Sequence, residues 1–129
     1  KDGETLKALG ITHVVNVTSE VQNHFEDEGI KYLKFEIEDN PSLNIAQFFD
    51  RAIQFIDDAL SEQQNRVFVH CQAGISRSGS VVVAYIMTRH NKPVYEEALA
   101  FVQQRRPIVF PNRGFVEQLK EYQKSLSQN

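Results

Sequence analysis

Residues 67–87 read Val67-Phe-Val-His-Cys-Gln-Ala-Gly-Ile-Ser-Arg-Ser-Gly-Ser-Val-Val-Val-Ala-Tyr-Ile-Met87, and three physical characters follow one another within them. Val67-Phe-Val69 is short and fully apolar, the pattern of a strand buried inside a parallel sheet. Val81 to Met87 is apolar on every face, the pattern of a buried helix. Between them runs a polar segment, His70 to Ser78, holding Cys71, Gly74, Arg77 and Ser78. Buried strand, tight loop, buried helix is the unit from which α/β layer folds are assembled.

The flanking sequence extends the same alternation. Ile11 to Val17 is rich in β-branched residues and predicts a strand, preceded by a short helix over Glu4 to Leu9 that Gly10 stops. Tyr32 to Ile37 alternates and predicts a second strand; Glu20 to Gly29 is polar and fits no element. Glu38-Asp-Asn-Pro41 is a loop, because Asn-Pro interrupts both helix and sheet. From Ile45 the apolar positions Phe48, Phe49, Ala52, Ile53, Ile56, Ala59 and Leu60 recur at helical spacing. Asp50, Asp57 and Asp58 fall on the other face and read as solvated. Beyond Pro93 a helix is predicted over Tyr95 to Arg105, then a loop bracketed by Pro107 and Pro111, then an amphipathic helix from Gly114 to Leu126. The expected fold is α/β, a central, mostly parallel twisted sheet flanked by helices.

Bulk properties bound the function. The 129 residues suit one domain over 1–129, and 41% hydrophobic residues with nine Phe supply a core. A net charge of −3 without a basic run argues against nucleic acid as partner, while leaving room for one small positive pocket. No stretch nears the roughly 18 apolar residues of a membrane span, and the N-terminus does not read as a secretory leader. The single Cys permits neither an internal disulfide nor a multi-cysteine metal site, and suits a reducing, intracellular compartment.

The 71–78 loop carries the chemistry. At a strand-to-helix junction the N–H groups of the loop and first helical turn lack internal partners and converge on an anion, aided by the helix dipole. Gln72, Ala73, Gly74, Ile75 and Ser76 are therefore the expected oxyanion binders, with Gly74 letting the backbone bend. Arg77 adds a planar fork for two phosphate oxygens. Ser78 is placed to donate a hydrogen bond to the Cys71 sulfur, and His70 to orient the loop. An ordinary thiol is only about 3% ionised at pH 7, so full ionisation gains about 30-fold, ~2 kcal/mol. Positioning and transition-state stabilisation by Arg77 and the loop amides must supply the larger share. Alone, Cys71 would read as a small core residue; His70, Gly74, Arg77 and Ser78 around it make the catalytic reading the better one.

His70-Cys71-x5-Arg77-Ser78 resembles the signature loop of the protein tyrosine phosphatases, and Ala73-Gly-Ile-Ser-Arg-Ser78 is similar to the dual-specificity branch of that family. Leu9 to Asn16, Phe48 to Asp57, Arg105-Arg-Pro107 and Pro111-Asn-Arg-Gly-Phe115 resemble further segments of the same branch, so nearly the whole chain is covered. The resemblance implies a two-step hydrolysis of phosphotyrosine and phosphoserine/threonine in proteins through a cysteinyl-phosphate, with neither metal nor organic cofactor. It implies a general acid on a loop after a strand, a place that Asp39 fits, with Glu38 as rival. Arg105 and Arg106 resemble positions that in relatives can contact a second phosphate or an acidic part of the substrate, although a cationic helix C-terminus is the alternative. Asn112 resembles a loop Asn that braces the phosphate loop, a plain turn role being the alternative. Relatives begin with a strand before the segment equivalent to residues 4–9, and that strand is expected to be missing or truncated here.

Other classes fit less well. Arsenate reductases with such a loop relay oxidation through further cysteines, and rhodanese-type loops do not require Arg-Ser. A phosphate-binding pseudophosphatase typically lacks the Cys or the Arg. Phosphoinositide-selective relatives tend to carry Lys within the loop, and residues 72–76 hold none, which favours a phosphoprotein over a non-protein ester.

Overall fold

A computed structural model describes residues 9–18, 29–71 and 76–127. The helix expected over residues 4–9 lies mostly outside them, as do residues 20–28 and 72–75. Within them, three strands form a sheet in the order β2-β1-β3, with β1 His13–Asn16, β2 Lys31–Lys34 and β3 Val67–His70, and both pairings parallel. β1 and β2 are shorter than the strands predicted over Ile11–Val17 and Tyr32–Ile37, but hydrogen bonds continue past their ends, from Phe35 N–H to the Asn16 carbonyl and from Val17 N–H to the His70 carbonyl (2.9 Å each). Gly10 turns the chain into β1 at φ +79°, a conformation L side chains rarely adopt.

Four α-helices surround the sheet among the described residues: α1 Phe49–Leu60, α2 Arg77–Arg89, α3 Tyr95–Arg105 and α4 Arg113–Ser127. The predicted helix from Ile45 is divided, with a 3-10 turn over Ile45–Phe48 preceding α1. Its buried stripe is Phe49, Ala52, Ile53, Ile56 and Ala59, whereas Leu60 is 45% exposed. Asp57 is not simply solvated, because its Oδ2 accepts a 2.7 Å bond from Arg89 Nε that ties α1 to the end of α2.

α2 is buried almost all round, as its composition requires. Val81, Val83, Ala84 and Met87 are sealed from solvent. Each β-branched residue costs a few tenths of a kcal/mol in helix propensity, while burying it contributes roughly 1.5–3 kcal/mol, so burial decides. β3 corrects an expectation. It is only half-buried, with Phe68 38% exposed, because among the described residues it pairs with β1 alone.

α4 governs the segment that follows β2. Gln118 Nε2 donates to the Leu43 carbonyl (2.7 Å), and its Oε1 accepts from Ala46 N–H (2.9 Å). Gly114 lies so close to Pro41 that an added Cβ would collide with the Pro41 carbonyl. Gly79 of α2 is also close-packed, but its neighbour is a side-chain methyl, Val109 Cγ1, 2.7 Å from a built Cβ. A methyl can rotate away and a backbone carbonyl cannot. Gly114→Ala should therefore lower the unfolding free energy by about 1–3 kcal/mol despite alanine's better helix propensity, and by more than Gly79→Ala. Chemical denaturation of the two variants gives the order, and the reverse order would refute this packing account.

Candidate active site

β3 ends at His70, the described chain reaches Cys71, and α2 begins at Arg77, so Arg77 and Ser78 stand in the first turn of a buried helix. That turn faces the Cys71 sulfur. Ser78 N–H points to Sγ at 3.4 Å, and the thiol reaches Ser78 Oγ at 3.3 Å. When the sulfur is a thiolate, the hydroxyl proton can rotate to donate instead, giving the anion two donors from one residue. Cys71 is half-buried. Residues 72–75 of the predicted anion cradle lie outside the described residues.

Arg77 is 4% exposed, and its Nη1 donates to the Ile37 carbonyl at 2.9 Å. Ile37 lies two residues before Asp39, so the guanidinium reaches from the phosphate loop to the loop bearing the expected acid. Asp39 and Glu38 are both exposed. Of the two, Asp39 is the one tied into the site among the described residues, its Oδ1 accepting from Asn112 Nδ2 at 2.8 Å. Asn112 N–H also donates to Ser76 Oγ at 2.9 Å, which engages the Ser76 hydroxyl. The Ser76 carbonyl accepts from Ser80 N–H and Oγ, at 2.9 and 2.7 Å. The structure thus brings Cys71, Ser76, Arg77, Ser78, Asp39 and Asn112 into one connected set. A recess of about 510 Å³ opens beside it, lined by Asp39, Ser76, Phe110, Asn112, Arg113 and Lys120. Phe110 is 64% exposed at this recess, an aromatic that its place in an irregular loop gave no reason to single out.

Arg105 behaves differently. Its Nη1 donates to the Phe101 carbonyl one turn back, at 3.2 Å, and its guanidinium covers the Phe101 ring at 4.0 Å. That is the cationic helix C-terminus arrangement. With Arg106 it borders an apolar cleft of about 210 Å³ behind Ser78, formed by Val69, Val82, Phe101 and Val109.

The His70 ring stacks on Phe68, with centroids 5.4 Å apart. Burial holds its pKa below the ordinary 6.5. Burial first, and then Lys31, do the same for His13. Both rings resist protonation when folded, whereas in the unfolded chain they accept protons near 6.5. Their stability contribution is thus intact above about pH 6.5 and lost as pH falls through the lowered folded values. The urea midpoint should drop between about pH 7.5 and 5.5, and drop less in His13→Asn/His70→Asn. An equal drop in the variant would rule out this origin.

Comparison with known proteins is consistent across the chain. Residues 2–125 match the family described as dual specificity phosphatase, catalytic domain. The chain is 45% identical over 120 residues to mouse dual specificity protein phosphatase 1 and 44% identical to human dual specificity protein phosphatase 4. These alignments cover 93% of this chain but 32% and 30% of those proteins, so it spans about a third of their length. Among solved structures, the human tyrosine phosphatase-like serine/threonine/tyrosine-interacting protein superposes with a TM-score of 0.87 at 38% identity, covering 98% of this chain and 84% of that one. A mouse putative dual specificity phosphatase complexed with zinc tungstate gives 0.90 at 27% identity, covering 99% and 79%.

Proposed function

We propose, from the premise that the chain belongs to the dual specificity phosphatase catalytic-domain family, that it removes phosphate from phosphotyrosine and phosphoserine/threonine in proteins. The observation that carries the reading is the Cys71 sulfur facing the first turn of α2, with Ser78 N–H and Oγ 3.4 and 3.3 Å away. Tungstate, held by the mouse relative, is a tetrahedral oxyanion shaped like phosphate. In this chain such an anion would sit on the amides of residues 72–76 and on the guanidinium of Arg77.

The Cys71 thiolate attacks phosphorus. The S–P bond forms as the bond to the leaving oxygen breaks, and Asp39 gives that oxygen its proton. Water then attacks the cysteinyl-phosphate, Asp39 takes a proton from it, and Cys71 departs as a thiolate. Ser78 favours that departure by donating to the developing negative sulfur. Arg77 meets the charge spread over the equatorial phosphoryl oxygens in both steps. Only water enters the balance besides the ester. A lone nucleophilic thiol works best where thiols stay reduced, so we place this activity inside the cell, in cytoplasm or nucleus.

Turnover of aryl phosphates and of a phosphopeptide panel tests the reading. Cys71→Ser should lose roughly four orders of magnitude or more in kcat, and Arg77→Lys about 10²–10³-fold. Asp39→Asn should lose about 10²–10⁴-fold on poor leaving groups and little on the most activated ester. Undiminished turnover in Cys71→Ser would end the proposal, and hydrolysis of phosphotyrosine peptides alone would narrow the substrate class.

A further inference from the structure

Asn112 has every polar group committed, and the commitments run to three different parts of the fold. Its N–H donates to Ser76 Oγ at 2.9 Å, in the phosphate loop. Its carbonyl accepts from Val116 N–H, and its Oδ1 from Phe115 N–H, both at 2.9 Å, capping the first turn of α4. A backbone N–H can only donate, so the atom facing Phe115 must be the amide oxygen. The amide nitrogen is thereby turned toward Asp39, whose Oδ1 it meets at 2.8 Å. The brace expected on the phosphate loop is made by the main chain, and the side-chain NH2 goes to the carboxylate.

We infer that Asn112 is the positioning residue of the proton donor, fixing Asp39 so that its proton is carried and returned at Oδ2. The inference rests on the reading of Asp39 as general acid. An amide NH2 has no acceptor capacity, so the oxygen it holds is the one best left unprotonated. Oδ1 keeps this bond through both steps. Oδ2 loses its proton to the leaving oxygen in the first and regains one from water in the second. Because the Asn112 main chain simultaneously holds Ser76, the donor is referenced to the phosphate loop itself. Proton delivery tolerates little displacement, since about 1 Å can cost 10²-fold.

The test separates this role from capping. Asn112→Ser and Asn112→Thr both retain a cap acceptor for α4 but lack the amide NH2 that reaches Asp39. The measurements are thermal midpoint, KM and kcat over aryl phosphates of graded leaving-group ability, for these variants, for Asp39→Asn and for the Asn112→Ser/Asp39→Asn pair. Expected are a nearly unchanged midpoint, a KM within about 3-fold, and a kcat loss of roughly 10–100-fold on the poorest leaving group that shrinks toward none on the best. In the Asp39→Asn background Asn112→Ser should cost nothing further. A loss equal on all leaving groups, or no loss, in either Asn112 variant overturns the inference. If Asp39→Asn itself shows no leaving-group dependence, the acid assignment is what fails.

Discussion

Arg77 carries a charge that the fold has almost wholly withdrawn from water, leaving 4% of the residue exposed. Such burial costs several kcal/mol unless the guanidinium finds partners of good geometry. One of them is the carbonyl of Ile37, beyond the end of β2. The chain after β2 must therefore come to the first turn of α2, and the loop carrying Asp39 follows two residues later. α4 and the Asn112 that precedes it hold that loop from the other side, through the Asn112–Asp39 bond, the close approach of Gly114 to Pro41, and Gln118. Behind these contacts stand Phe49, Phe115 and Leu119, wholly buried, so loops bonded to one another also rest on the core.

Division of labour follows from this arrangement. In the proposed mechanism the nucleophile and the charged clamp, Cys71 and Arg77, come from the β3–α2 junction. The proton donor of that mechanism, Asp39, comes from a separate loop after β2, tied to Asn112 rather than carried on the β3–α2 segment itself. A carboxylate inside the cradle would oppose both the thiolate and the incoming phosphate.

What could be read in the sequence was whatever short-range pattern encodes. The helical stripe from Phe49 to Ala59 and the apolar run Val81 to Met87 announce their elements, and Cys71, Arg77 and Ser78 sit close enough in sequence to read as one site. The family likeness added Asp39 and Asn112. The destination of the Asn112 side chain was not legible, because its partner lies 73 residues away and an Asn before a helix looks like a cap. Gly114 likewise looked like a helix start, since only the fold puts the Pro41 carbonyl against it. Val67 to Val69 suggested complete burial, whereas exposure depends on how many neighbours a strand acquires, which its own residues do not record. The 3-10 turn at Ile45–Phe48 escaped because its apolar positions fit the longer helix as well.

The half-buried sulfur of Cys71 is also the only thiol in the 129 residues. Any mass added to the intact chain by a thiol-selective reagent therefore reports one atom, at the mouth of one site. Stoichiometric labelling would count the accessible, reduced Cys71 thiols in a preparation directly, which are the nucleophiles of the proposed reaction. An oxyanion that slows the labelling would report its own affinity without turnover, with the protein acting as its own titration standard.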